Sequence, residues 1–232
     1  MRVGIMVTAF QAAESLKNRL EKSGHQVVVF SFASPQGGLR NRLQRTFCFY
    51  LAVNTLRGRF KPMAAFLSGL QKVYLNHPPD SPQTGEIIAS YRPDVLVQKV
   101  GFILKDNILK SARLGVINDH IGELPFFRGR SVTEWTILHG KPPASTVHLI
   151  DRGVDTGAVL KVFPENLSGF TDFKTAKSHL FTKADDKIAE VIDHWEELTP
   201  QSQPEKAGKQ FFAIHPLLFD YAEGLLKKQS GA

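Results

Sequence analysis

The sequence has a single cysteine, Cys48, among 232 residues. One cysteine excludes an intrachain disulfide and any metal site built from several cysteines. This scarcity agrees with a reducing compartment, so the cytoplasm is the expected location. Heptad arrays, internal repeats and low-complexity tracts are also missing from the sequence. We therefore expect a compact globular fold and not a coiled coil or a repeat array.

Long apolar runs are missing as well. No stretch reaches the roughly eighteen apolar residues that a helix needs to cross a bilayer. The short apolar run from Met1 to Val7 has no small-residue cleavage site behind it, so we expect a first β-strand and not a signal peptide. The chain length suits one well-buried α/β domain, with or without a small appendage.

Acidic residues are absent between Glu21 and Asp80, where the sequence carries eight basic ones. The rest of the sequence carries 21 of the 29 basic residues and all 22 acidic ones, so its charges nearly cancel. The net charge of +7 is therefore concentrated in this window. We expect a basic face at Arg40 to Lys61, around a predicted helix from Arg40 to Leu56. This helix could pack its apolar centre into the domain, or it could bind an anionic partner such as a nucleotide phosphate, RNA or a membrane surface.

The order of the periodic segments indicates an α/β protein. Val3 to Val7, the helix from Gln11 to Lys22 and the β-branched run from Gln26 to Phe32 form an opening βαβ unit. The other predicted elements are helices over Pro62–Val73 and Gly85–Tyr91, a strand over Val95–Val100, a helix over Lys105–Ala112, a strand over Gly115–Asn118, a loop over Leu124–Arg130, a helix from a Ser131 cap to His139, strands over Ser145–Ile150 and Ala158–Phe163, and helices over Phe173–Leu198 and Ile214–Lys228. This pattern predicts a Rossmann-like, mostly parallel sheet flanked by helices.

The predicted domain organisation has two parts. Residues 1–198 are expected to form a catalytic domain, and residues 199–232 a linker followed by a carboxyl-terminal helix. The linker is predicted over Thr199 to Lys209, where the residues are polar and no helix or strand period is visible.

Three polar residues form the strongest functional signal. Asn118 and His120 lie in Asn-Asp-His at the carboxyl end of a predicted parallel strand, which is the edge where α/β sheets bind ligands. Asp155 lies at a predicted hairpin tip in Gly-Val-Asp-Thr-Gly. A carboxamide can hold an oxyanion, an imidazole can donate a proton to it, and a carboxylate can orient the imidazole or a water. The set suits acyl transfer without a covalent nucleophile.

The segment from Val95 to Leu160 resembles the folate-dependent formyltransferase family, which includes the glycinamide ribonucleotide, methionyl-tRNA and sugar N-formyltransferases. The motifs that carry the resemblance are, in order, Gly101 to Leu104, Asn118-Asp119-His120, Leu124-Pro125, Arg128-Gly129, Thr146-Val147-His148 and Val154-Asp155-Thr156-Gly157. The resemblance implies the formyltransferase catalytic-domain fold, with Asn118, His120 and Asp155 as the catalytic residues.

The resemblance also implies the substrates. The formyl donor would be 10-formyltetrahydrofolate and the acceptor a primary amine. Asn118 and His120 would stabilise the tetrahedral oxyanion, while Asp155 would position His120 and a proton-carrying water. Contacts to the donor are implied at Gly101, Phe102, Ile103, Leu104, Val154 and Gly157, although Phe102 and Leu104 suit a core position equally well. No metal site is implied.

Departures from the family pattern reduce the number of acceptors to be considered. The turn from Thr8 to Ala13 has no glycine, whereas glycinamide ribonucleotide enzymes bind the acceptor phosphate with a glycine-rich turn there. The residues after the predicted long helix are too few for the second domain that helps methionyl-tRNA enzymes hold tRNA. An amino group of a nucleotide-linked sugar, or another small amine, is therefore the favoured acceptor. Glu123 and Arg128 are candidate substrate contacts, although Glu123 could simply face water and Arg128 could form a loop salt bridge.

Other functions stay open at this point. They are glycinamide ribonucleotide or methionyl-tRNA formyltransferase-like activity, hydrolysis of 10-formyltetrahydrofolate, and a non-catalytic folate- or RNA-binding role. The intact Asn, His and Asp argue against a non-catalytic role. The family's hydrolases carry an amino-terminal regulatory domain, whereas this chain starts with the predicted first strand. His148 has two interpretations, a structural histidine on an alternating strand or a residue that faces the site.

Overall fold

A computed structural model describes residues 1–8, 13–32, 72–204 and 207–229. The predicted basic helix from Arg40 to Leu56 lies outside these residues, as does most of the predicted helix from Pro62 to Val73. The chain forms two compact units, Met1–Gly115 and Val116–Ala232. The predicted domain boundary after residue 198 stays a prediction.

The first unit is a parallel sheet with helices, as its βαβ opening predicts. Its described elements are β1 (Arg2–Thr8), α1 (Glu14–Lys22), β2 (Gln26–Phe32), β3 (Lys72–Leu75), α2 (Pro82–Ser90), β4 (Val95–Gln98) and α3 (Asp106–Leu109). The strands lie in the order β3-β2-β1-β4, and all three pairings are parallel. A Cβ on Gly4 would lie 2.4 Å from Leu96 Cδ2, so glycine lets β1 pack closely here.

One sequence prediction in this unit is wrong. Lys72 and Val73 were expected at the end of a helix, but they begin β3, which pairs with β2. The short run Lys-Val-Tyr-Leu has too few residues to reveal its period, and the pairing with a strand forty residues earlier decides its conformation.

The second unit combines antiparallel strands with three helices. Its described elements are β5 (Gly115–His120), β6 (Phe127–Gly129), α4 (Val132–Leu138), β7 (Ala144–Leu149), β8 (Val159–Pro164), α5 (Phe173–Asp193), a 3₁₀ turn (Trp195–Glu197), β9 (Lys209–Phe211) and α6 (Pro216–Gln229). β7 pairs antiparallel with both β5 and β8, whereas β6 pairs parallel with β9. The helices share a buried apolar cluster that includes Ile137, Phe173, Leu180 and Leu226.

The predicted fold class, a mostly parallel α/β sheet flanked by helices, is confirmed. Local differences arise where distant segments meet. The loop predicted from Leu124 to Arg130 contains β6, because β9 pairs with it from about eighty residues away. Ser131 precedes α4 as predicted, but its backbone is left-handed (φ 53°) and its hydroxyl accepts a hydrogen bond from the Ile214 N–H instead of capping the helix. Of the described helices, none has the length and apolarity to cross a membrane.

A buried ionic cluster lies between β5, β7, β8 and α5. Asp119 points to this side of β5, with its side chain 2% exposed and 3.9 Å from the Lys187 ammonium. Lys187 also pairs with Glu165 and donates to the Ser145 hydroxyl at 2.7 Å. Neither carboxylate oxygen of Asp119 accepts a hydrogen bond from any residue that the structure describes. Burial raises the pKa of Asp119 to about 6, an effect that Lys187 opposes and that Glu165 and Asp185 reinforce.

We expect Asp119 to make the folded protein less stable as the pH rises. Its folded-state pKa of about 6 exceeds the ordinary value of 3.8, so the unfolded chain releases the proton first. Stability is then lost between pH 4 and 6, by on the order of 3 kcal/mol at neutral pH for a shift of about two units. Asp119→Asn should remove much of this loss, which urea unfolding between pH 4 and 8 measures.

Asp94→Asn is the matched comparison. The backbone N–H of Arg2 and the guanidinium of Arg113 lower the pKa of Asp94, so this carboxylate contributes stability that is lost as the pH falls. The two variants should therefore change the pH dependence in opposite directions. An Asp119→Asn variant that loses stability more steeply than the wild type between pH 4 and 6 would contradict the prediction.

Candidate active site

β5 presents Asn118 and His120 on one face, because side chains alternate along a strand. The register with β7 pairs Asn118 with His148 and His120 with Thr146. The Asn-x-His and Thr-x-His motifs therefore lie side by side on the same face. His120 is 7% exposed and His148 is 1% exposed, whereas Asn118 is half-buried.

Thr146 fixes the turn that follows His120. Its hydroxyl donates to the Gly122 carbonyl at 2.8 Å and accepts from the Leu124 N–H at 3.1 Å. A Cβ on Gly122 would lie 3.0 Å from His120 Nε2 and 3.0 Å from the Phe127 carbonyl oxygen. A larger residue would therefore press on the imidazole, which gives a physical reason for glycine in this turn.

The loop that carries Asp155 is held by its own side chains. Asp151 Oδ1 accepts hydrogen bonds from the Gly153 N–H at 2.9 Å and from the Thr156 hydroxyl at 2.6 Å. A Cβ on Gly157 would lie 1.9 Å from the Leu149 carbonyl oxygen. Asp155 itself has a left-handed backbone, with φ 53°, a conformation that aspartate tolerates better than most residues.

The Asp155 carboxylate lies between the two buried histidines. Oδ2 accepts a hydrogen bond from the Gly129 N–H at 2.8 Å and lies 3.5 Å from His120 Nδ1. Oδ1 lies 3.7 Å from His148 Nε2. The structure thus brings together His120 and Asp155, which the sequence singled out. It also places His148 against the same carboxylate, so His148 faces the site.

Backbone carbonyls determine which ring nitrogens carry hydrogen. His120 Nε2 lies 2.7 Å from the Phe127 carbonyl oxygen, and His148 Nδ1 lies 2.7 Å from that of Leu149. A carbonyl oxygen only accepts, so each of these nitrogens is the donor. In the neutral rings, the unprotonated nitrogens, His120 Nδ1 and His148 Nε2, then face the carboxylate.

Electrostatics keeps one of these rings uncharged. Burial, and next the neighbouring His120 ring, lower the pKa of His148, although Asp155 opposes the shift. His148 is therefore neutral at neutral pH. The separations of 3.5 Å and 3.7 Å lie just beyond a normal hydrogen bond, so each ring nitrogen is within ion-pair distance of the carboxylate.

Sequence reasoning missed two groups that hold Asp155. One is the backbone N–H of Gly129, which binds the carboxylate. The other is Gln203, whose amide nitrogen donates to the carbonyls of Asp155 and Gly157 at 2.9 Å and 2.7 Å. Gln203 lies in the predicted linker, nearly fifty residues after the loop it binds, so no local sequence signal could identify it.

The predicted donor contacts lie in both units. In the first unit, Gln98 Nε2 donates to the carbonyls of Val100 and Phe102, each at 3.1 Å, and fixes the turn that begins the Gly101 to Leu104 segment. Ile103 is 68% exposed, whereas Leu104 is 3% exposed and belongs to the core. In the second unit, Val154 is 38% exposed and Gly157 is buried.

The two predicted substrate contacts have different surroundings. Arg128 donates from Nη2 to the Ala207 carbonyl, while its buried Nε has no hydrogen-bond partner in the described part of the chain. Glu123 is half-buried, and its backbone carbonyl accepts from the Phe127 N–H at 2.9 Å. Substrate contact by either side chain stays a prediction. In the part of the chain that the structure describes, no cluster of three or more His, Cys, Asp or Glu residues could hold a metal ion.

Comparison with known proteins shows which proteins this chain is similar to. A family model described as formyl transferase matches residues 1–164. The methionyl-tRNA formyltransferase of Chlorobium chlorochromatii is 35% identical over 82 residues, which are 35% of this chain and 26% of that protein. The methionyl-tRNA formyltransferase of Wolbachia pipientis is 26% identical over 205 residues, which are 88% of this chain and 64% of that protein. The chain spans less than two thirds of the length of these relatives.

Solved structures share the fold. The formyltransferase PseJ from Anoxybacillus kamchatkensis, in complex with UDP-4,6-dideoxy-4-formamido-L-AltNAc and tetrahydrofolate, aligns with a TM-score of 0.58 at 16% sequence identity. The alignment covers 99% of this chain and 100% of that chain. Because the family model covers well over half of the sequence, this chain belongs to the formyl transferase family.

Proposed function

We propose that this protein transfers a formyl group from 10-formyltetrahydrofolate to a primary amine, in the cytoplasm. The observation that carries the proposal is the Asp155 carboxylate between His120 Nδ1 and His148 Nε2. Such a set can accept a proton and release it, beside a carboxamide on the same strand face. Formyl transfer from nitrogen to nitrogen requires both an oxyanion donor and a proton carrier.

Asn118 is the proposed oxyanion donor. When the amine nitrogen bonds to the formyl carbon, the carbonyl oxygen becomes negative, and the amide N–H of Asn118 donates to it. His120 assists from the same strand face once Nδ1 carries a proton, since its Nε2 hydrogen is committed to the Phe127 carbonyl. Preorganised donors of this kind stabilise the transition state more than the ground state.

Asp155 is the proposed centre of proton transfer. The attacking amine loses a proton, and the folate nitrogen must gain one as its bond to the formyl carbon breaks. Asp155 stabilises that proton on His120 Nδ1 or on a water that binds the carboxylate. The Gly129 N–H fixes Oδ2, so the carboxylate keeps its orientation throughout. His148 stays neutral and limits the rotation of Asp155 from the other side.

The residues of the chain fit the proposed donor, which supplies the formyl carbon and a nitrogen leaving group. The buried imidazole nitrogen of His148 has no hydrogen-bond partner within the described residues, and it faces the catalytic carboxylate. Ile103 and Val154 are the exposed apolar side chains of the two segments predicted to contact the donor. Ile103 offers an apolar surface to a flat aromatic ring in the first unit, and Val154 offers one in the second.

The proposed acceptor is an amino group of a nucleotide-linked sugar or another small amine. The absence of glycine from the sequence between Thr8 and Ala13 disfavours a glycinamide ribonucleotide. A full-length match in fold to a sugar formyltransferase complex is compatible with a sugar acceptor, although identity is only 16%. Methionyl-tRNA is the second candidate, because the relatives compared in sequence carry that name. An anionic partner at Arg40 to Lys61 also stays a prediction.

Asn118→Ala should lower kcat by about 10²–10³, with a smaller change in the KM for either substrate, because one oxyanion donor is lost. Steady-state kinetics with 10-formyltetrahydrofolate and the acceptor measures the effect. The control is Asn166→Ala, since Asn166 is an exposed loop residue that bonds the Ser168 N–H. Retention of more than about a tenth of wild-type kcat by Asn118→Ala would refute the assigned role.

An acceptor panel tests the function itself. The protein is incubated with 10-formyltetrahydrofolate alone, then with nucleotide-linked amino sugars, with glycinamide ribonucleotide, or with methionyl-tRNA. We expect tetrahydrofolate release only with an amine, and the fastest release with an amino sugar. Release without any amine would indicate hydrolysis, and fastest release with methionyl-tRNA would select the second candidate. Saturable folate binding without turnover under any condition would exclude the enzymatic proposal.

A further inference from the structure

The segment after α5 holds the catalytic loop in the second unit. We propose that Gln203 is a positioning residue for Asp155, whose carboxamide fixes the loop backbone so that the carboxylate stays between His120 and His148. This inference rests on the proposed catalytic role of Asp155. It assigns a function to a part of the chain that the sequence pattern presents as a linker.

The first support is the pair of hydrogen bonds that the Gln203 side chain donates. Its amide nitrogen has two hydrogens. It donates to the Asp155 carbonyl at 2.9 Å and to the Gly157 carbonyl at 2.7 Å. One side chain thereby bridges the tip of the loop and fixes the two carbonyls on either side of Thr156.

The second support is the backbone that Gln203 holds. Asp155 has a φ of 53°, a region that residues with a Cβ adopt reluctantly. Gly157 packs so tightly that a Cβ there would meet the Leu149 carbonyl oxygen at 1.9 Å. A left-handed residue beside a tight contact is held in one conformation by bonds from outside the loop, and Gln203 provides two of them.

The third support is that neighbouring residues of the same segment act on the same loop. Gln201 and Val159 exchange two backbone hydrogen bonds, each of 2.8 Å, where β8 leaves the loop. Further along, β9 pairs with β6, and a Cβ on Gly129 would lie 2.2 Å from the Phe211 carbonyl oxygen. Gly129 is the residue whose N–H binds the Asp155 carboxylate. The segment therefore supports the loop through its backbone and through the partner of its carboxylate.

The geometry at Asp155 makes this support relevant to the reaction. The carboxylate lies 3.5 Å and 3.7 Å from the two histidine nitrogens, so a small rotation of the loop would separate them. Misplacement of a catalytic group by about 1 Å can lower a rate by as much as 10²-fold. A loop that moves would thus lower the rate of the chemical step more than substrate affinity.

A double-mutant cycle with Asp155 tests the inference. Gln203→Leu removes both hydrogen bonds, and Gln203→Glu keeps the shape but removes the donors. Each should lower kcat by about ten- to a hundredfold, with the KM of the amine changed less than about threefold. In an Asp155→Asn background the same changes should lower the residual kcat less than about twofold, because the carboxylate they position is already absent.

The control is Gln201→Leu, the same substitution two residues earlier, since the Gln201 side chain is exposed and bonds Val159 through its backbone. It should keep wild-type kcat. Thermal unfolding of each variant sets the assay temperature well below its Tm, and Gln203→Asn replaces any variant that does not fold. Wild-type kcat in the Gln203 variants, or an equal loss in both Asp155 backgrounds, overturns the inference. Full activity of Asp155→Asn would instead overturn the proposed role of Asp155 itself.

Discussion

The Asp155 carboxylate is held between two buried imidazoles, and several parts of the second unit hold it there. The Gly129 N–H binds one oxygen, and the two rings lie on either side. Each ring is turned by a hydrogen bond to a backbone carbonyl, so its other nitrogen faces the carboxylate. The chemistry therefore depends on backbone groups as much as on side chains, because backbone carbonyls select the tautomers and a backbone amide orients the acid.

The two faces of β5 surround their ionisable side chains in different ways. On one face, Asn118 and His120 are next to β7, and the His120 ring lies 3.5 Å from the Asp155 carboxylate. On the other face, Asp119 is enclosed with Lys187 and Glu165, and burial raises its pKa. Two buried carboxylates share one buried ammonium there, which costs free energy unless a proton remains. Asp119 and His120 are consecutive residues, and they lie in different environments because side chains alternate between the two faces of a strand.

Most of the fold could be predicted, since the first unit repeats strong local patterns. Alternating runs and a helix of the right period predict the βαβ opening, and the structure confirms it. Predictions failed where the local sequence is ambiguous and a distant partner decides. Lys72 to Leu75 becomes a strand because β2 is beside it, and Phe127 to Gly129 becomes one because β9 pairs with it. Within the predicted linker region, Gln203 and the start of β9 bind residues far earlier in the chain, which the local sequence does not indicate.

The sequence by itself determined the fold class, the formyl transferase family and the residues to examine, because Asn-x-His, Thr-x-His and Asp-Thr-Gly each constrain a strand or a tight loop locally. Only the tertiary structure decided that His148 faces the site, that Asp119 is enclosed with Lys187, and that Gly129 and Gln203 hold Asp155. These facts depend on strand register and on contacts across about 25 to 70 residues of chain, which side-chain chemistry and spacing do not encode.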